Sequence, residues 1–224
     1  MLLLCSDGLT GVSITEELQK HTKECKTAAV VVTADNEYKE NNYHVPERRE
    51  ELLCMGLTVE TFDIDTSDAE LLLGYDVVEF IGGNPFYLLD SIRKHNAEPV
   101  LRALAGQKIL IAISAAAFAV GPSLELVNEY TPEQNIVSMT DLTGLSLTET
   151  EVLPHYSRFA KRFDRFEERC REYEQRRGTN VIRLNDGDGV FLFGDRQLIV
   201  RNESKSTVRA CNLGFFDPWN GRKS

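Results

Sequence analysis

Short apolar segments alternate with longer polar or amphipathic segments, and this alternation limits the possible folds more than any other feature of the sequence. The apolar segments predict strands at Leu2–Cys5, Thr27–Thr33, Thr58–Asp63, Val77–Ile81, Ile109–Ile113, Leu145–Thr148, Val181–Leu184, Gly189–Phe193 and Gln197–Arg201. The intervening segments predict helices at Ile14–Thr22, Val45–Met55, Phe86–Lys94, Ala97–Ala105, Ala115–Val120 and Phe163–Arg177. Because helices separate the first five strands, we predict a three-layer, doubly wound α/β fold, with a mostly parallel sheet and helices on both faces. The strands after residue 180 are too closely spaced for helical crossovers, so we expect antiparallel strands near the C-terminus.

The bulk composition is that of a soluble globular protein. With 224 residues, 42% apolar and 27% charged, the chain suits a single domain over residues 1–224. Its net charge of −10 argues against a general nucleic-acid-binding protein, which would need a basic face. No apolar run approaches the ~20 residues of a membrane span. The first eight residues lack the features of a signal peptide, so they predict a core strand.

The cysteines indicate a reduced, cytoplasmic protein without a zinc site. There are five, an odd number, and none forms a C-x-x-C pair: Cys5, Cys25, Cys54, Cys170 and Cys211. No G-x-G-x-x-G fingerprint follows any predicted strand. We therefore expect neither a metal nor a cofactor.

A serine directly after a buried strand, within residues 108–122, is the first candidate for chemistry. The predicted strand Ile109–Ile113 runs straight into Ser114, and small helix-forming residues follow at once. This layout is typical of a nucleophile elbow, a sharp strand-to-helix turn that exposes a serine hydroxyl. Ala112 and Ala116 occupy the positions where such an elbow usually has glycines.

A base and an acid that would activate this serine can be chosen from the rest of the chain. His155 is the candidate base, because it alone among the four histidines follows a predicted strand and a turn stiffened by proline. Taken by itself, it is more typical of an ordinary loop histidine. The candidate acids are Asp186 and Asp188, which lie in a segment that also fits a simple turn between two strands.

The segment Gly82-Gly83-Asn84-Pro85 follows another predicted strand. A backbone N–H of Gly83 or Asn84 there, together with the N–H of Ala115, fits an oxyanion hole. The same residues also fit a strand-to-helix turn, with Asn84 as N-cap and Pro85 at the first helical position. The two interpretations are compatible, because capping uses the Asn84 side chain and the hole uses main-chain groups.

In this order, the motifs resemble the peptidase E family of serine peptidases, which are related to aspartyl dipeptidases and more distantly to cyanophycinase. The resemblance extends from Met1 to about residue 205. It rests on Gly82-Gly83-Asn84-Pro85-Phe86-Tyr87-Leu88-Leu89, Ser114-Ala115, Pro154-His155-Tyr156 and Leu184-Asn185-Asp186-Gly187. It implies a fold like that of class I glutamine amidotransferase domains. It also implies that Ser114 is the nucleophile, His155 the general base and Asp186 the orienting acid.

The resemblance further implies a preference for an N-terminal aspartate, whose carboxylate would need a cation. The candidates are Arg158, Arg162, Arg165 and Arg169, and Arg165 is nearest the expected distance from the acid. Arg165 and Asn84 are our predicted substrate-binding residues. Such a run of Arg and Glu is also typical of a solvated helix face.

Three hypotheses follow. The first is a cytoplasmic serine peptidase whose partner is a small peptide, with no nucleic acid or membrane partner; the sequence is compatible with a homodimer. The second is a catalytically silent relative that binds a peptide-like or amino-acid ligand, with Ala112 and Ala116 as its only support. The third, a cysteine amidotransferase-like enzyme, is weaker because serine occupies the elbow.

Overall fold

The computed structural model describes residues 1–202, so Cys211 lies outside the described residues. A seven-stranded mixed sheet forms its centre. The strands are β1 (Leu2–Cys5), β2 (Thr27–Val31), β3 (Thr58–Phe62), β4 (Val77–Phe80), β5 (Ile109–Ile113), β6 (Glu151–Leu153), β7 (Val181–Arg183), β8 (Gly189–Phe193) and β9 (Arg196–Val200). The order in the large sheet is β3-β2-β4-β5-β1-β8-β9. Strands β1 to β5 pair in parallel, and β8 and β9 are antiparallel, which confirms the predicted fold class.

Helices follow most of the strands, as the alternation predicted. They are α1 (Val12–His21), α2 (Val45–Leu53), α3 (Pro85–Lys94), α4 (Glu98–Gln107), α5 (Ala115–Val120), α6 (Glu125–Tyr130), α7 (Tyr156–Arg162) and α8 (Phe166–Arg177). Helices α6 and α7 were not predicted from the sequence. The predicted helix Phe163–Arg177 begins three residues later, because Arg165 adopts a left-handed conformation with φ of 50°. None of the helices in residues 1–202 has the length and apolar character needed to cross a membrane.

The sheet separates two hydrophobic clusters, one on each face. Successive side chains of a strand point to opposite faces, so Leu110 and Ala112 join one cluster while Ile111 and Ile113 join the other. A parallel strand that is buried on both faces reads as a continuous apolar run, which is why β5 was readily predicted.

Two of the strand predictions were wrong. The segment Leu145–Thr148 forms no strand: the N–H groups of Leu145, Ser146 and Leu147 donate to carbonyl groups at the end of α5 and at Gly121. Strand β7 is not antiparallel, because it pairs in parallel with β6 in a separate two-stranded sheet. In both cases partners distant in sequence determine the pairing, and the local pattern does not reveal them.

The topology brings several strand ends together. Strands β4, β5 and β1 are neighbours, so Gly82, Ser114 and Ser6 lie at one edge of the sheet. Strands β6 and β7 also end close by, and the chain leaves them toward His155 and Asp186. Ligand sites in open α/β sheets lie at the carboxyl ends of the strands, so this edge is where a site is expected.

Candidate active site

Ser114 occupies a sharp turn between β5 and α5. Its φ of 50° and ψ of −107° lie in a region that residues other than glycine rarely adopt. Its N–H donates to the carbonyl oxygen of Cys5 at 3.0 Å, which ties the turn to the neighbouring strand β1. Gly82 leaves room for the serine, since a Cβ atom at Gly82 would lie 3.2 Å from the Cβ of Ser114. The turn therefore has the geometry of a nucleophile elbow.

The two alanines beside the elbow are accommodated within it. Ala112 and Ala116 are both completely buried and belong to the same hydrophobic cluster. Their methyl groups fill space between strand and helix, and Ser114 still adopts the strained conformation. The alanines are thus compatible with an intact turn.

His155 joins the elbow to an acid. The residue follows β6 in a left-handed conformation, with φ of 55° and ψ of 28°. Its Nε2 lies 2.9 Å from the Ser114 Oγ, and its Nδ1 lies 2.7 Å from the Asp186 Oδ1. An ionised carboxylate only accepts hydrogen bonds, so the Nδ1 carries the proton and the Nε2 is free to accept from the serine hydroxyl. Phe159 and the imidazole pack in a T-shaped arrangement, with ring centroids 5.8 Å apart.

The two candidate acids have different surroundings. Asp186 faces His155, whereas Asp188 is 3% exposed and accepts hydrogen bonds from the N–H groups of Asn185 and Asn202, at 2.9 and 2.8 Å. Asp188 also pairs with Arg201 at 2.9 Å. Asp188 therefore holds the turn together, and Asp186 is the carboxylate in contact with the histidine.

The groups around Asp186 stabilise its ionised form. Burial alone would raise the pKa of Asp186, but the hydrogen bond and electrostatic attraction of His155, the positive charge of Arg158 and a hydrogen bond from Ser6 together lower it. The Arg158 guanidinium lies 2.5 Å from the second carboxylate oxygen. Asp186 is consequently ionised at neutral pH, as an acceptor for the histidine must be.

The segment after β1 also contacts this group, which the sequence analysis missed. The Ser6 hydroxyl donates to the Asp186 Oδ1 at 3.2 Å and accepts from the His155 backbone N–H at 2.9 Å. The next residue, Asp7, accepts from the Gly187 N–H at 2.8 Å. The signal available in the sequence was the position of these residues, directly after a buried strand.

The predicted oxyanion donors flank the serine. Gly83 and Ala115 line the same small pocket beside Ser114. Gly83 has a φ of 153°, and a Cβ atom there would lie 2.3 Å from the carbonyl oxygen of Ala34, so a side chain would displace the turn. The Asn84 side chain accepts from the N–H groups of Phe86 and Tyr87, both at 3.0 Å, and so caps α3.

Two additional contacts also occupy Asn84. Its N–H donates to Ala34 at 2.8 Å, and its Nδ2 donates to the carbonyl oxygen of Gln134 at 2.7 Å. Both its main-chain donor and its side chain are therefore engaged in holding the turn. Gly83, not Asn84, remains as the partner of Ala115.

Ser114 lies between a large cleft, with several charged residues in its lining, and a smaller pocket. The cleft has a volume of about 500 Å³ and is lined by Asp7, Thr10, Asn42, Tyr43, His44, Glu47, Arg48, Ile81, Gly82, Gly83, Ile113, Ser114, His155 and Arg158. The pocket has a volume of about 50 Å³, and Pro85, Phe118, Val127, Tyr130 and Phe159 provide its apolar wall. A ligand at Ser114 would contact both charged and apolar surfaces.

Arg165 does not contribute to this cleft. It pairs with Glu168 at 2.6 Å and with Glu172 at 3.4 Å, and its side chain is 59% exposed. The turn after α7 carries it to the start of α8, in the wall of a different surface depression. The cations that line the cleft are instead Arg158 and Arg48.

A buried charged cluster lies beneath the cleft. The Arg48 guanidinium donates to the carbonyl oxygen of Asp7 at 2.9 Å and pairs with Glu47 and Glu51, both at 3.1 Å. Glu79 on β4 is completely buried, and neither of its carboxylate oxygens has a hydrogen-bond partner in the part of the chain that is described. Burial outweighs the attraction of Arg48 and raises the pKa of both Glu79 and Glu51.

Comparison with known proteins identifies the family. The model of peptidase family S51 matches residues 2–200, so the chain belongs to this family, and the resemblance indicated by the motifs is confirmed. An uncharacterised peptidase of Listeria monocytogenes is 28% identical over 137 residues, which span 59% of this chain and 66% of that protein. An uncharacterised peptidase of Pasteurella multocida is 27% identical over 139 residues, covering 60% of this chain and 67% of that protein.

Two solved structures share the fold. A Listeria monocytogenes protein provisionally assigned to peptidase E superposes with a TM-score of 0.70 at 23% identity, covering 89% of this chain and 97% of that one. A peptidase from an acI-B1 actinobacterium has a TM-score of 0.56 at 14% identity, with coverage of 92% and 96%.

Proposed function

We propose that this chain is a serine peptidase that hydrolyses short peptides through Ser114, His155 and Asp186. The observation that carries the proposal is the unbroken chain of hydrogen bonds from the Ser114 hydroxyl through the imidazole to an ionised carboxylate. The serine at the end of this chain of hydrogen bonds has a strained backbone conformation and lines a cleft. A base within hydrogen-bond reach of the nucleophile, oriented by a third group, is the arrangement that acyl transfer requires.

The reaction follows from the positions of these groups. The Ser114 Oγ attacks the carbonyl carbon of the scissile bond, and its proton passes to the His155 Nε2. The N–H groups of Gly83 and Ala115 stabilise the negative oxygen of the tetrahedral intermediate. His155 then protonates the departing amine, and water, deprotonated in turn by His155, releases the acyl group from Ser114. Asp186 fixes the tautomer of His155 and stabilises the imidazolium that forms.

The silent-binder hypothesis loses support from the packing of the elbow. Its only basis in the sequence was the pair of alanines, and Ala112 and Ala116 are packed around a serine that retains the strained conformation. A serine and an aspartate that are both hydrogen-bonded to one histidine would also have no evident role in a protein that only binds a ligand.

The charges in the cleft favour a substrate with an acidic first residue, such as a dipeptide that begins with aspartate. Arg158 lines the cleft, and its side chain is 63% exposed, so it can reach a bound carboxylate while it remains next to Asp186. Asp7 and Glu47 line the same cleft and would face the free amino group of such a substrate. Arg158 therefore replaces Arg165 as the proposed specificity residue.

Hydrolysis of three dipeptides that differ only in the first residue, Asp, Asn or Ala, tests this proposal. We expect the wild-type protein to prefer Asp over Asn by about 10- to 100-fold in kcat/KM, as a charged hydrogen bond of about 1.5–3 kcal/mol would give. The Arg158→Gln variant should lose this preference, while Arg165→Gln should keep it. The ratio is the informative quantity, because Arg158 also contacts Asp186.

Two results would count against the proposal in different ways. Equal cleavage of the Asp and Asn dipeptides would remove the role of Arg158 but leave a peptidase. Hydrolysis by Ser114→Ala at the wild-type rate, or none by the folded wild-type protein, would contradict the peptidase itself.

A further inference from the structure

We propose that Ser6 is a positioning residue, whose hydroxyl holds His155 and Asp186 in the geometry that activates Ser114. This inference rests on the proposed function and extends it to a residue outside the serine, histidine and aspartate. Ser6 follows β1 and is completely buried. Its hydroxyl contacts both partners of the serine at once.

The pairing of the central strands brings Ser6 to the site. Strand β1 pairs with β5 in parallel, with Cys5 opposite Ile113, so the next residue of each strand, Ser6 and Ser114, leaves the sheet at the same edge. The Ser114 N–H is bonded to the carbonyl oxygen of Cys5, the residue directly before Ser6. The elbow and Ser6 are therefore held by one pair of strands.

The Ser6 hydroxyl donates one hydrogen bond and accepts another, and the two partners lie in different segments of the chain. It donates to the Asp186 Oδ1, the same oxygen that contacts the His155 Nδ1, and this bond is one of the factors that lower the pKa of Asp186. It accepts from the backbone N–H of His155, whose left-handed conformation needs such support. One buried hydroxyl thus fixes both the backbone position of His155 and the orientation of the Asp186 carboxylate.

Hydrogen bonds donated by backbone N–H groups hold the loop of residues 186–188 independently of this hydroxyl. The Ser6 N–H donates to the carbonyl oxygen of Asp188 at 3.2 Å, and the Gly187 N–H donates to Asp7. A Ser6→Ala variant keeps these bonds and removes only the hydroxyl. Its effect therefore reports on alignment of His155 and Asp186, not on the presence of the loop.

The expected effect is on the chemical step. A shift of about 1 Å in a catalytic group can reduce the rate about 100-fold. Ser6 is absent from the lining of the cleft, so substrate binding should change little. We expect Ser6→Ala to lower kcat by about 10- to 100-fold, with KM within about threefold of wild type, and Ser6→Cys, which keeps a weak donor and acceptor, to lie between.

The matched control is Ser91→Ala. Ser91 is also a buried serine whose hydroxyl helps to lower the pKa of a nearby aspartate, Asp65, but it lies on α3 outside the cleft. A loss of kcat in both variants would indicate general destabilisation and overturn the positioning role. A loss in Ser6→Ala alone supports it.

A second readout does not depend on peptidase activity. The proton on the His155 Nδ1 is shared with Asp186, and its resonance can be followed by proton NMR with ¹⁵N-labelled histidine. We expect Ser6→Ala to shift or broaden this resonance and Ser91→Ala to leave it unchanged.

The two readouts separate the possible failures. An unchanged kcat and an unchanged resonance in Ser6→Ala would overturn the role of Ser6 and leave the peptidase intact. An inactive wild-type protein whose resonance still responds to Ser6→Ala would contradict the proposed function and support the positioning role. If Ser6→Ala does not fold, Ser6→Cys decides by the same criteria.

Discussion

At the scale of single residues, Ser114 carries the most information. A non-glycine residue with φ of 50° and ψ of −107° is held at a cost of about 1–3 kcal/mol, and such strain persists only where the surrounding structure enforces it. Here the bond to Cys5, the hydrogen bond from the Ala117 N–H to the serine carbonyl, and the buried packing of Ala116 enforce it. In this conformation the hydroxyl lies within hydrogen-bonding distance of the His155 Nε2.

The alanines of the elbow yield a prediction at this scale. Ala116→Gly, which restores the glycine typical of an elbow, should lower the free energy of unfolding by about 1–2 kcal/mol, from lost helix propensity and one lost buried methyl group. It should not increase the reaction of Ser114 with a fluorophosphonate. Denaturant unfolding and labelling rates measure the two effects. A tenfold faster labelling would mean that the alanine restrains the site, as in a silent relative.

The sequence identified the residues that local patterns mark, and missed those that only pairing brings close. Ser114 follows a correctly predicted strand, and Asp186 lies in the turn between two predicted strands. His155 was chosen because it follows the predicted strand Leu145–Thr148, which does not form, and the strand that precedes it, β6, was not predicted. Ser6 also follows a predicted strand, but its contact with Asp186 depends on the strand order, which the local pattern does not reveal. Arg165 was chosen by separation along the chain, which does not reveal that a left-handed turn directs it toward Glu168.

At the scale of elements, the alternation of strands and helices could be predicted because it depends on the order of apolar and polar residues within each segment. The segment Leu145–Thr148 has strand-like composition, yet its N–H groups bond to the end of α5 and to Gly121. Strands β6 and β7 are only three residues each and pair in parallel. In both cases the partner, not the intrinsic preference of the segment, decided the outcome.

Strand β4 carries a second prediction, through Glu79. Burial raises the pKa of Glu79 to about 7, with Arg48 acting in the opposite direction, against an ordinary value of 4.5. The folded state therefore binds a proton more tightly than the unfolded state, so stability is highest below about pH 4.5 with respect to this group and is lost as the pH rises through about 7.

Glu79→Gln, which cannot ionise, should weaken this pH dependence. We expect the variant to gain roughly 1–3 kcal/mol relative to wild type between pH 5 and pH 8. Some dependence should remain, because burial also raises the pKa of Glu51. Urea unfolding at a series of pH values is the measurement. Parallel stability curves for the two proteins would show that Glu79 is already ionised in the folded state.

At the scale of the whole molecule, a strongly acidic chain has charges of both signs at its candidate site. The net charge is −10, and the cleft is lined by Arg48 and Arg158 as well as by Asp7 and Glu47. Arg48 is buried and paired with glutamates, whereas the Arg158 side chain is exposed. An exposed cation such as Arg158 is what an acidic substrate would require against the overall field of the protein. Membership of peptidase family S51 and the shared fold are consistent with an active centre at this edge of the sheet.

The central claim is that Ser114 is a nucleophile activated by His155, and covalent labelling tests it most directly. The folded protein is incubated with a fluorophosphonate, and the modified residue is located by mass spectrometry. We predict a single adduct on Ser114 that is absent from Ser114→Ala and forms at least about 100-fold more slowly in His155→Ala, the range of general-base catalysis. A folded wild-type protein that remains unlabelled, or is labelled equally fast without His155, would contradict it.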